Sequence, residues 1–153
     1  MSQPFTPAAL ARLAQRRALQ RRTRGGNTQP KHLRQSPTQR IGQRYEDRAA
    51  QYLQEQGLCI LTRNATSPFG EIDLIATDQH TLVFVEVRYR HHAYFDGAAA
   101  SVNRSKQQRI RLSASFLLSH LCQQHFGGKL PPCRFDVVAF TDAELLWIPD
   151  AFT

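Results

Sequence analysis

Apolar and polar positions alternate most tightly between Gly70 and Arg90, GEIDLIATDQHTLVFVEVRYR. The pattern predicts two strands, Glu71–Ala76 and Thr81–Arg88, joined by the polar turn Thr77-Asp78-Gln79-His80. Strand side chains point to alternate faces. Glu71 and Asp73 are therefore expected on one face, with Ile72 and Leu74 on the other. On the second strand Phe84, Glu86 and Arg88 share a face, opposite Val83, Val85 and Val87. A turn centred on Asp78 and Gln79 pairs Asp73 with Phe84 and Glu71 with Glu86. Any register of that parity gathers Asp73, Glu71, Glu86 and Arg88 on one face, with opposed or diagonal Cβ atoms about 5–8 Å apart.

The flanking pattern is helical. Residues 41–57 place Ala49, Ala50 and Leu53 on one stripe, with Tyr45 and Tyr52 beside it and Gly57 as the terminating residue. Glu46 falls on that same inward stripe, where a carboxylate needs a partner. Leu58–Arg63 reads as a strand and Asn64–Phe69 as a polar loop. Residues 91–100 read as irregular, and Ser101–Gln124 as the longest helix, with Ile110, Ala114, Leu117, Leu118 and Leu121 on its stripe. Arg134–Phe140 and Leu145–Ile148 close the chain as strands, with Trp147 and Phe152 in the core or over it. Helix, strand, hairpin, helix, strand implies an α/β fold with a mixed sheet flanked by helices.

Charge changes this picture at one end only. Residues 1–40 carry nine of the 20 Lys and Arg and no Asp or Glu, so residues 41–153 are near neutral. The first 40 residues read as a basic arm without a core, apart from a short helix starting at Thr6-Pro7, and 41–153 as the folded domain. Such an arm suits non-specific contact with nucleic acid through counterion release. An acid-free, Arg-rich start also has the character of an organelle transit peptide, and a tail that only solubilises is the plain alternative. Cys59, Cys122 and Cys133 form no CxxC pair. Cys59 and Cys133 lie in apolar runs and are expected to be buried thiols, as in a reducing compartment. No run approaches the ~20 apolar residues of a membrane helix, so a cytoplasmic protein with no membrane partner is expected.

The chemistry lies in the acids. Like charges facing each other on a sheet repel unless something neutralises them. A hard divalent cation, Mg²⁺ or Mn²⁺, would do so with Asp73, Glu86, Glu46 and Glu71 as oxygen ligands. A solvated hairpin face, its charges paired with Arg88 and Arg90, is the alternative. Asp136 is read as a partner of Arg134 rather than a ligand. His91-His92 reads as a loop pair near phosphate, since neighbours on one segment rarely chelate one ion. Arg104, Lys106, Arg109 and Arg111 crowd the start of the long helix, where the macrodipole disfavours cations. That points to an anionic partner there, and Arg104, Lys106 and Arg109, with Arg90, are the candidate nucleic-acid contacts. An ordinary solvated basic face is the alternative.

Taken in order, GEIDLIA, VFVEVRYR, AAASVNRSKQQRI and RFDVVAF, preceded by the first-helix Glu46, resemble the YraN family of uncharacterised bacterial proteins. That family is similar in pattern to the restriction-endonuclease-like PD-(D/E)XK superfamily and its Holliday-junction resolvases. The resemblance covers residues 41–152 and implies an αβββαβ core with a site at the hairpin. It implies that Asp73 is the acid of the first half-motif, Glu86 the acid of E-x-K, and Glu46 the first-helix Glu of resolvase-like members. Arg88 stands where the superfamily usually has Lys. Lys can give up a proton to activate water, whereas Arg stays charged, and Arg88 would serve to clamp or stabilise phosphate. The implied activity is Mg²⁺- or Mn²⁺-dependent phosphodiester hydrolysis in DNA, structure-specific, with Glu46, Asp73, Glu86 and Arg88 catalytic. Symmetric pairing of resolvase-like members makes a homodimer an expectation. A nuclease-fold protein that binds nucleic acid or a repair partner without cutting is the competing reading.

Overall fold

The architecture comes from a computed structural model and describes residues 36–89, 102–142 and 144–153. The expected helix at Thr6-Pro7, nearly all of the basic arm, Arg90 and His91-His92 lie outside these residues.

Helix α1 (Pro37–Glu55) starts inside the stretch read from sequence as arm. The reason is the run Ser36-Pro37-Thr38-Gln39, a capping box. Ser36 Oγ accepts from the Gln39 amide at 3.2 Å, Gln39 Oε1 accepts from the Ser36 amide at 2.9 Å, and Pro37 is preset for the first turn. At the other end Gly57 takes φ 96°. Its N–H donates to Gln54 O and that of Leu58 to Leu53 O, each at 3.0 Å, which satisfies the last carbonyls in a Schellman turn.

The sheet runs β1-β2-β3-β4-β5. Strands β1 (Cys59–Ser67), β2 (Gly70–Asp78) and β3 (Thr81–Tyr89) form an antiparallel meander. Helix α2 (Arg104–His125) then crosses over, so that β4 (Cys133–Phe140) lies parallel to β3, and β5 (Leu145–Phe152) returns antiparallel. One face buries Ala49, Ala50 and Leu53 of α1 against Leu74, Ala76, Val83, Val85, Val138 and Phe140. The other buries Ile110, Ala114 and Leu121 of α2 against Ile75, Leu82, Phe84 and Val137. Each helix thus covers one face with the stripe its spacing predicts, and the α/β class and the αβββαβ order hold, with β5 appended.

Four details differ from the sequence reading. Strand β1 runs through the expected loop to Ser67, held by pairing with β2 from Arg63↔Leu74 to Ser67↔Gly70, and Asn64 within it takes φ 51°, a conformation Asn tolerates better than most residues. The hairpin turn is centred on Gln79 and His80, closing at Asp78↔Thr81 with Gln79 at φ 53°. The register moves by two residues, which preserves the faces. Strict alternation fails at Ile72, which packs with Ile75 on the α2 side, whereas Leu74 packs on the α1 side. The β2–β3 ladder ends at Leu74↔Val85, and past that point the pleat no longer fixes orientation. Lastly, Cys59 and Cys133 are exposed and Cys122 is buried. The first two are the opening residues of their strands, at the sheet's margin, while Cys122 lies on the inward side of α2.

Candidate active site

The place where β2 and β3 part company is built by a side chain. With the last ladder pair at Leu74↔Val85, the next residues across from each other are Asp73 and Glu86. Asp73 Oδ2 accepts from the Val87 amide at 2.7 Å, so a carboxylate takes the role a backbone carbonyl would play in a continuing ladder. The ladder stops there, at two facing acids.

Glu86 is 4% exposed. Its alternation with Phe84 aims it at the α2 side, where Lys106 reaches it with Nζ 3.0 Å from Oε2. The contact is an ion pair without hydrogen-bonding direction, for Oε2 is buried and has no hydrogen-bond partner. Arg88 Nη1 stands 3.6 Å from Oε1. Lys106 is placed by the cap of α2, where Asn103 Oδ1 accepts from the Lys106 amide at 2.9 Å. Its position in the first turn, unfavourable to a cation on dipole grounds, is offset by a buried anion of the protein itself.

From the opposite helix Glu46 turns into the same region. Its Oε2 is also buried without a hydrogen-bond partner. Burial pushes the Glu46 carboxyl above its ordinary range, a hydrogen bond with the Asn64 side chain pulls it back, and the charges of Asp73, Glu71 and Asp47 add to the rise. Asp73 is pushed up to about 7, by burial first and then by the charge of Glu86. The Val87 N–H and the Lys106 ammonium oppose that rise, and Glu71 adds to it. Asp73 therefore feels Lys106 of α2, and its own charge acts on Glu46 of α1. Glu71 is exposed at the start of β2 and acts through its charge.

Of the residues expected from sequence, Glu86 meets Arg88 and stands across from Asp73, while Glu46 and Glu71 are near enough to Asp73 to interact through charge. Arg104 and Arg109 are exposed on α2. Two participants escaped the sequence reading in their actual roles. Lys106, read as a phosphate contact on a helix surface, is the ion-pair partner of Glu86. Asn64, read as a loop residue, touches Glu46, and only its known tolerance of left-handed backbone hinted at a special position.

The donor set is all oxygen and suits Mg²⁺ or Mn²⁺ rather than a soft metal. Glu46, Glu71, Asp73 and Glu86 outnumber Lys106 and Arg88, and the buried Glu46 Oε2 has no hydrogen-bond donor. Among the described residues no group of three or more His, Cys, Asp or Glu side chains lies close enough together to hold a metal ion, so a cation would have to draw these acids in. Among the same residues no helix is long and apolar enough to cross a membrane.

Comparison with known sequences agrees with the motif order. A UPF0102 protein of Bordetella petrii is 46% identical over 141 residues, covering 92% of this chain and 87% of its own. One from Yersinia enterocolitica is 50% identical over 111 residues, covering 72% and 92%. One from Pseudomonas putida F1 is 48% identical over 122 residues, covering 76% and 95%. The profile of the uncharacterised protein family UPF0102 matches residues 45–140, which include every member of the acidic cluster. The chain belongs to that family, the YraN family whose motifs its sequence carries.

Proposed function

We propose that the protein is a divalent-metal-dependent nuclease acting on DNA, structure-specific in the manner of repair and recombination enzymes. The observations that carry this reading are the Asp73 carboxyl, pushed up to about 7 by burial and by the charge of Glu86, and the buried Glu46 Oε2 that has no hydrogen-bond donor. Nature rarely leaves buried acids unsatisfied without a use for them. Asp73 and Glu86 would hold Mg²⁺ or Mn²⁺, with Glu46 beside them. The metal, when bound, supplies Lewis acidity toward a phosphate oxygen and an acidified water.

The chain's own cations divide the remaining work. Arg88 stays charged and suits phosphate clamping. Lys106, in ion-pair contact with Glu86, brings an ammonium that can orient the attacking water beside that acid. Arg104 and Arg109, exposed on the same helix, suit backbone contacts that position without reading sequence.

Cleavage assays with Mg²⁺ or Mn²⁺ on duplex, flap, four-way junction and single strand test this. Wild type should cut at least one of them, and Asp73→Asn and Glu86→Gln should each lose at least about 100-fold. A second reading, a nuclease fold that binds DNA without cutting, is favoured by Arg88 and by the contact that already ties Glu86 to Lys106. Under it no substrate is cut, and the two substitutions leave binding unchanged or tighter.

A further inference from the structure

On the α1 side of the sheet, next to the acidic cluster but not part of it, lies a cavity of about 360 Å³ lined by Ile41, Arg44, Tyr45, Arg48 and Tyr89. It adjoins the cluster through the chain on both of its walls. Tyr45 precedes Glu46 on α1, and Tyr89 follows Arg88 on β3. The size falls within the range of small-ligand clefts, about 300–1,000 Å³.

Its chemistry is specific. Tyr45 and Tyr89 are stacked with ring centroids 4.3 Å apart and planes 16° from parallel. Tyr45 also packs against Phe140 at 5.0 Å, which anchors the pair to the core. Tyr89 is held further by its hydroxyl, which donates to Asp142 at 2.7 Å. Arg44 and Arg48 are one helical turn apart on the same wall, and neither is ion-paired with a carboxylate among the described residues. Arg48 lies over the Phe140 ring at 5.2 Å. Ile41 completes the wall and is 49% exposed. Fixed aromatic rings, an apolar edge and two uncompensated guanidinium groups match a guest that is planar at one end and anionic at the other.

We infer that this cavity holds one unpaired nucleotide of a DNA strand, its base against the Tyr45–Tyr89 pair and its phosphates against Arg44 and Arg48. The identity of the guest rests on the nucleic-acid reading above. The placement gives that reading a basis for substrate choice. A paired duplex keeps its bases stacked inside, whereas a flap, a junction or a single strand has a base free to enter.

The test is fluorescence anisotropy in EDTA, where no cleavage occurs, with a fluorescein-labelled oligo(dT) strand and a paired duplex of equal length. The proteins are wild type, Arg44→Glu and Tyr89→Leu, each checked for an unchanged circular-dichroism melt. Tyr89→Leu should lose roughly tenfold in single-strand affinity, the scale of one stacked base. Arg44→Glu should lose a similar amount, and for both the duplex affinity should change less than twofold. Equal losses on the two probes, or none, overturn the pocket even if Asp73-dependent cleavage is found. Selective loss on the single strand upholds it even if wild type cuts nothing, in which case the nuclease reading falls alone. Wild type that binds neither probe overturns the pocket and leaves the nuclease reading to the cleavage assay with metal.

Discussion

Two buried acids on neighbouring strands of one sheet have opposite surroundings. Asp136 on β4 pairs in register with Val85, and Glu86 on β3 with Val137, so the two lie one step apart on opposite faces. Asp136 is fully buried, and its donors are all supplied. Arg134 Nε reaches Oδ1 at 3.0 Å, Trp147 Nε1 reaches Oδ2 at 3.0 Å, and the Asp150 amide reaches Oδ1 at 3.0 Å. That last bond explains the irregular stretch of β5, where Asp150 takes φ 51° to aim its N–H inward. Arg134 also grips Asp78 at 2.7 Å and so ties the hairpin turn to β4. Glu86 is met by two cations instead, Lys106 Nζ 3.0 Å from Oε2 and Arg88 Nη1 3.6 Å from Oε1. The first acid is a strut. The second is held by charge at the sheet's open end, a looser arrangement that leaves it able to exchange partners.

The difference can be tested by removing each acid in turn. Asp136→Ala leaves Arg134, Trp147 and the Asp150 amide without their acceptor. It should cost about 3 kcal/mol or more in urea unfolding, the scale of a broken buried ion pair. Glu86→Gln should cost about 1–2 kcal/mol in the same assay, less than Asp136→Ala, because the amide keeps an oxygen for Lys106 while the ion pair is lost. If Glu86→Gln proves as damaging as Asp136→Ala, the contrast between strut and open site is lost.

Asp73 sharpens the comparison through pH. Its carboxyl is raised from the ordinary 3.8 to about 7, so between those values the folded state holds a proton that the unfolded chain has released. The contribution of this group to stability therefore falls as pH rises from about 4 to about 7 and then levels off. Asp73→Asn, which keeps an oxygen for the Val87 amide, should stabilise the protein by on the order of 1–2 kcal/mol at pH 8 and by much less at pH 4. Thermal melts of both proteins across that range decide it. A variant with equal effect at both ends would show that Asp73 is an ordinary ionised acid.

The smallest effect is expected farthest from the site. Ser36→Ala removes the reciprocal cap of α1 and should cost about 1 kcal/mol at most, without altering metal uptake. A measurable change in uptake would mean that the placement of Glu46 depends on the whole helix rather than its packed stripe.

Much of this arrangement was legible in the chain. The stripe Ala49, Ala50, Leu53 and the inward position of Glu46 follow from helical spacing alone. The faces of Phe84 and Glu86 follow from strand alternation and survived a register two residues away from the expected one, because a shift of two preserves parity. Local pattern could not reveal Lys106. Its meeting with Glu86 depends on how α2 docks on the sheet, 20 positions along the chain from Glu86, and on dipole grounds its charge suggested an external anion instead. Asn64 was hidden because a left-handed residue within a strand has the same local signature as a loop. Cys59 and Cys133 misled because an apolar neighbourhood in sequence says nothing about whether a residue starts a strand or sits in its middle.

The central claim is that the open acids take a divalent cation. Isothermal titration with Mn²⁺ at pH 7.5, alone and with a short duplex, compares wild type with Asp73→Asn most directly. The account predicts saturable uptake by wild type that weakens as pH falls below about 7, where a proton competes for Asp73, and that is lost in the variant. Absence of uptake by wild type in both states, or uptake that Asp73→Asn leaves unchanged, would contradict it.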